Sequence, residues 1–147
     1  MRPEEAGEIS RLVTASMRQA FASCYAAGVL EALIRGNSAE AFLKHAPKQI
    51  DYGLHSGNRI VAMIGLKRNE IGHLYVHPDC SGQGFGRTLV DFARTTLRTA
   101  GYESLMVLSA LTAVEFYKKC GFTEELRGGF TVGDGLVLNY VRMNCPI

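Results

Sequence analysis

The chain has 147 residues, 47% hydrophobic and 20% charged, with a formal net charge of +2. That fits one domain with its own core and argues against the basic surface that nucleic acid or an anionic membrane selects. No apolar run approaches the ~20 residues that span a bilayer. The start lacks a signal-peptide layout, and the scattered Cys24, Cys80, Cys120 and Cys145 form neither a zinc motif nor a disulfide framework. A cytoplasmic protein without a bound metal is the expectation.

In residues 4 to 22, Ile9, Leu12, Val13, Met17, Ala20 and Phe21 recur at helical spacing, leaving Glu8, Arg11 and Arg18 to water. A second helical piece carries Val29, Leu30, Leu33 and Ile34 and stops near Gly36. Ser38 is placed to cap a third, which Pro47 closes. The period then changes. "IDYGLHSGNRIVAMIGL" reads as two strands turning at Ser56-Gly57-Asn58. The second, Ile60 to Leu66, is apolar on both faces and belongs inside a sheet. "EIGHLYVHP" is a third strand, ended by Pro78.

A glycine-rich stretch leads into a helix whose stripe is Leu89, Phe92, Ala93, Leu97 and Ala100, with Asp91, Arg94 and Arg98 facing water and Gly101 as its stop. "SLMVLS" is a buried strand. Residues 112 to 120 form a helix with Ala113, Phe116, Tyr117 and Cys120 on one side. Strands at about 129 to 133 and 136 to 143 turn at Gly133-Asp134-Gly135. The order predicts a mixed α/β layered domain over residues 1–147.

"CSGQGFGRTL" at 80–89 has the design of an anion site: glycines let a backbone approach a ligand closely, and successive N–H groups lead into a helix N-terminus. It is not a P-loop, because Arg87 stands where Lys belongs before Thr88 and the glycine spacing is wrong. The dinucleotide fingerprint fails too: its third glycine would fall on Arg87 or Leu89. A tight turn without a ligand is the alternative at this point.

Together with "AVEFYKKCGF", the phrase "LYVHPDCSGQGFGRTLV" resembles the GCN5-related N-acetyltransferase (GNAT) family. The resemblance implies a mainly antiparallel mixed sheet with helices on both faces, its first edge strand reduced or absent, and acetyl-CoA as acetyl donor. Leu74, Tyr75 and Val76 would offer backbone groups to the pantetheine arm, with an N–H near Val76 holding the carbonyl oxygen as it gains charge. Gly82, Gln83, Gly84, Phe85, Gly86, Arg87 and Thr88 would hold the pyrophosphate, and Ser109 is either an arm contact or a strand-end cap. Ser81 departs from the family's Gln or Arg at the loop's opening.

Tyr117 matches the family's frequent general acid, and is equally placed to be a core tyrosine. An alkyl amine of pKa near 10.4 is about one part in a thousand unprotonated at neutral pH, a cost of roughly 4 kcal/mol that a base can offset. Glu70 and His73 are the candidates; strand alternation puts them on opposite faces, so one at most would meet the acceptor. His77 reads as a turn residue and Cys120 as a packing thiol. Lys118, Lys119 and Glu115 read as a solvated face with Glu115 and Lys119 paired. Tyr25 and Phe130 are candidate walls of a pocket for a small-molecule or peptide amine. No nucleic-acid or membrane partner is expected. The resemblance implies pairing of protomers, with Leu136 to Met143 as a candidate interface. The competing reading is a non-catalytic acyl-CoA-binding module.

Overall fold

The computed structural model describes residues 2–45, 48–132 and 135–147. After a 3-10 turn at Pro3–Glu5 come the helices α1 (Ala6–Phe21), α2 (Ala27–Arg35) and α3 (Ala39–His45). The meander β1 (Ile50–Ser56), β2 (Arg59–Lys67) and β3 (Glu70–Val76) follows. The remainder is α4 (Phe85–Thr99), β4 (Ser104–Ala110), α5 (Val114–Lys119), β5 (Thr123–Val132) and β6 (Leu136–Pro146). Ser38 caps α3 as expected, its Oγ accepting from Ala41 N at 3.2 Å. Pro47 and the Gly133-Asp134 part of the last turn lie outside the described residues. The last two strands run further than periodicity indicated, because they pair from Thr123↔Asn144 to Val132↔Leu136 with one irregularity between Glu124 and Leu126.

The strands form a 6-stranded sheet in the order β1-β2-β3-β4-β6-β5. Every neighbouring pair is antiparallel except β3 and β4. No strand precedes β1 among the described residues. Helices cover both faces, so β2 is buried from Ile60 to Leu66. Ile9, Leu12, Val13 and Met17 of α1 pack with Leu30, Phe42, Ile60 and Met63 on one face. On the other, Leu89, Val90, Ala93 and Leu97 of α4 meet Ala62, Ile64, Leu105, Val141 and Met143.

Several side chains depart from the expected patterning. Glu8 is part-buried, because its carboxylate accepts from the Ile60 N–H at 2.7 Å and so caps the start of β2. In α4, Val90 is buried while Phe92 is 38% exposed, lying edge-on to Tyr52, and Ala100 is exposed. Arg94 turns inward: its guanidinium donates to Asp91 Oδ1 at 2.9 Å, to Cys145 Sγ at 3.3 Å and to the Cys120 carbonyl, and sits 5.9 Å from the Phe122 ring centre. It ties α4 to the end of α5 and to β6. Arg94→Met is expected to lower unfolding free energy by about 2 kcal/mol, the weight of hydrogen bonds from a charged donor, read from urea denaturation; Arg98→Met on the exposed face is the control.

Candidate active site

The site originates where the sheet opens. β3 and β4 pair only through Glu70↔Met106 and Ile71↔Val107, and beyond these residues the strands part. The His77 N–H donates to Val61 O at 2.8 Å, toward β2. Two-residue alternation from that bond turns the backbone groups of Leu74 and Val76 the other way, into the gap. Tyr75, expected to offer backbone groups there, faces β2 with its backbone, paired with Met63; it is its side chain that lines the cavities beside the gap.

Next along the chain, Gly82 and Gly84 have φ of 75° and 86°, in the left-handed region that glycine enters without a Cβ penalty. A Cβ on either would meet nothing within 4 Å, so the loop faces open space. The backbone N–H groups from Gly82 to Arg87 donate to no acceptor among the described residues; the first helical bond is Thr88 N to Gly84 O at 3.0 Å. Together with the α4 dipole, this is a cradle that fits a phosphate ester. At Gly86 a Cβ would stand 3.1 Å from the Phe116 ring, so its absence lets α5 close the side of the cradle.

A cavity of about 380 Å³ lies over the loop, lined by Leu74, Val76, Gly82, Gly84, Phe85, Gly86 and Arg87 together with Phe116, Lys119 and Cys120. Arg87 donates to Lys119 O at 2.9 Å. Lys119 was expected to pair with Glu115, but Glu115 pairs with Lys118, at 3.3 Å. No ion pair holds Lys119 among the described residues, and the residue lines the cavity over the cradle. Gln83 and Thr88 direct their polar groups back to the chain, to Asp79 O and Gly84 O, both at 3.2 Å, and line no part of this cavity.

Leu74 and Phe116 also line a second cavity, about 460 Å³, in the opened gap between β3 and β4. Ser109 lies there, 1% exposed, its Oγ donating to Ala110 O at 2.8 Å, an arrangement that satisfies the hydroxyl locally. Tyr117 is buried on the same wall between Phe116 and Phe122, with ring centres 5.0 and 5.3 Å away. Its hydroxyl bonds to no described residue and opens on the cavity. Burial, with smaller contributions from Tyr75 and Cys120, raises the phenol above its usual range, so it stays protonated near neutrality. Burial likewise raises the Cys120 thiol, as a packing role requires.

A third cavity, about 310 Å³, continues outward and contains Tyr25, Glu70, His73, Tyr75, Phe130 and Tyr140. Glu70 and His73 therefore face one space, contrary to strict alternation. The reason is an extra residue in β3: Leu66 pairs with Ile71 but Gly65 with His73, so Gly72 bulges and the facing of the strand shifts by one. Of the two, His73 alone borders both the middle and the outer cavity.

The imidazole is held from beneath. Its Nε2 lies 3.0 Å from Oδ1 of Asp51, which is 4% exposed, and Gln49 Nε2 donates to the same oxygen at 2.7 Å. When Asp51 accepts from Nε2, the lone pair belongs to Nδ1, where the Gln49 amide nitrogen lies 3.3 Å away as a donor. A Cβ on Gly65 would come within 2.5 Å of His73 Nε2 and 2.6 Å of Asp51 Oδ1. Sequence reasoning missed Gln49, Asp51 and Lys119; the available signal was a lone acid in the otherwise apolar "IDYGL", opposite a strand glycine. His77 is the turn residue expected, its Nδ1 accepting from Asp79 N at 3.2 Å.

The family model for the acetyltransferase (GNAT) domain matches residues 24–145. A structure described as a GCN5-related N-acetyltransferase (aminotransferase, class II) from Rhodopseudomonas palustris has a TM-score of 0.91 at 26% identity, covering 100% of this chain and 92% of that one. The PaiA N-acetyltransferase of Thermoplasma acidophilum, solved with coenzyme A, has a TM-score of 0.83 at 19% identity, over 100% and 96% of the two chains. The ribosomal-protein-S18-alanine N-acetyltransferase of Escherichia coli has 0.62 at 22%, over 75% and 77%. No curated protein shows significant similarity. No helix among the described residues is long and apolar enough to cross a membrane.

Gly65→Ala is expected to displace the Asp51–His73 pair and to cost about 1–3 kcal/mol of stability through overpacking, measured by chemical denaturation and by a shift of the His73 imidazole resonances.

Proposed function

From the premise that the chain belongs to the GNAT acetyltransferase family, we propose that it transfers the acetyl group of acetyl-CoA to a primary amine by direct attack in a ternary complex. The observation that carries this reading is a row of three neighbouring cavities with shared walls, at the glycine loop, in the strand gap and at an aromatic chamber, with Leu74 and Phe116 common to the first two and His73 to the last two. The N–H groups of Gly82 to Arg87, with Lys119 beside them, would hold the pyrophosphate, and Leu74 and Val76 would pair with the pantetheine amides as a further strand does. Bound there, acetyl-CoA supplies an activated acyl carbon.

The chain's residues manage the protons. His73, oriented by Asp51, takes the proton whose loss makes the amine a nucleophile, at Nδ1 once the Gln49 amide withdraws from it. The N–C bond forms as the C–S bond breaks, and Tyr117 protonates the departing sulfur. The second proton shed by the nitrogen restores Tyr117 through solvent, and His73 releases its own to bulk. Cys120 takes no acyl group in this scheme, since a raised thiol pKa disfavours the nucleophilic thiolate.

Acetyl-CoA titrated calorimetrically should bind, and Gly84→Asp, which sets a charge and a Cβ at a positive φ against the phosphate, should weaken binding by at least about 100-fold. His73→Ala and Tyr117→Phe should each lower kcat by about 100-fold or more with acetyl-CoA affinity unchanged. Tight binding with no acetylation of any amine would instead identify a non-catalytic acyl-CoA module. Absence of binding would remove the reading altogether.

A further inference from the structure

The outer cavity restricts the acceptor beyond its amine. Its walls carry rings among aliphatic side chains and the amides of Asn37 and Asn139: Tyr25 stands edge-on to Phe21 with centres 5.4 Å apart, and Phe130 tilts on Tyr140 at 5.8 Å. Among the described residues that line it, Glu70 carries the one carboxylate, and none is Lys or Arg. Burial raises the Tyr25 phenol, so this wall carries no charge near neutrality.

An entering ammonium meets favourable partners here, a carboxylate and the faces of aromatic rings. A carboxylate or phosphate on the acceptor would be desolvated with no cation to receive it, and repelled by Glu70. A second or third ammonium, as in a polyamine, would lack a further carboxylate among these residues. The volume of about 310 Å³ stands at the small end of ligand pockets and suits a compact body.

Building on the acetyltransferase reading above, we propose that the acceptor is a primary monoamine on a compact aromatic body without an anionic group, an arylalkylamine. Glu70 then anchors the ammonium, and Tyr25 and Phe130 enclose the ring. This assigns Glu70 to acceptor binding and leaves the base role to His73.

The test compares acceptors that differ by one feature: phenethylamine, phenylalanine (the same body plus a carboxylate), spermidine, and a short peptide with a free N-terminus and a lysine. Product is followed by mass spectrometry and thiol release, and acetyl-CoA affinity is measured separately by calorimetry. The expected result is kcat/KM for phenethylamine about 100-fold above each of the others. Glu70→Gln and Phe130→Ala should each raise its KM about tenfold, with acetyl-CoA affinity unchanged. Preference for phenylalanine, spermidine or the peptide would overturn the acceptor assignment and leave acetyl transfer standing. Failure to bind acetyl-CoA, or binding without acetylation of any amine, would overturn both.

Discussion

Everything at this site depends on a parallel strand pair that stops pairing early. A buried strand normally satisfies its N–H and C=O groups on both sides, but β3 does so toward β4 only at Glu70 and Ile71. Past that point Leu74 and Val76 present backbone groups to open space, and both also line the cavity over the glycine loop. A sheet interrupted in its middle is stable only if packing elsewhere compensates. Here β2, buried at every position from Ile60 to Leu66, and the α4 core hold β3 in place from the other side. The opening is a feature of the scaffold, and its walls are set before any ligand arrives.

The bulge at Gly72 extends the same logic to side chains. Without the extra residue, His73 and Glu70 would divide between the two faces; with it, both reach the outer cavity. The imidazole then lies over Gly65, the position in β2 where a side chain would strike it, and Asp51 and Gln49 occupy the remaining space. A one-residue irregularity and one glycine thus fix the orientation of a candidate base.

Much of this was legible in the sequence because it rests on local rules. The 3.6-residue stripe of α1, the doubly apolar β2, the cap at Ser38 and the glycine run before α4 each carry their own physical signature. What was not legible depends on register. The bulge cannot be seen without the pairing of β2 and β3, so the facing of Glu70 and His73 came out wrong. Arg94 and Glu8 looked like solvent-facing residues, since nothing local reveals that a distant Cys120 carbonyl or Ile60 N–H needs a partner. Tyr25 and Phe130, expected from their places between the first helices and in the last hairpin, share one cavity although 105 positions separate them.

The two ends of the site obey different physics, and this shapes how each can change. At the loop, the cradle is made of main-chain N–H groups and a helix dipole, which most side-chain replacements leave intact; a serine at position 81 instead of a longer polar residue removes little from such a cradle. At the outer end the walls are side chains, Tyr25 from the α1–α2 connection and Phe130 from β5, and each replacement alters shape or charge directly. Between the ends, Tyr117 and His73 face a gap whose position is fixed by strand geometry, so the outer walls can vary without moving these two side chains.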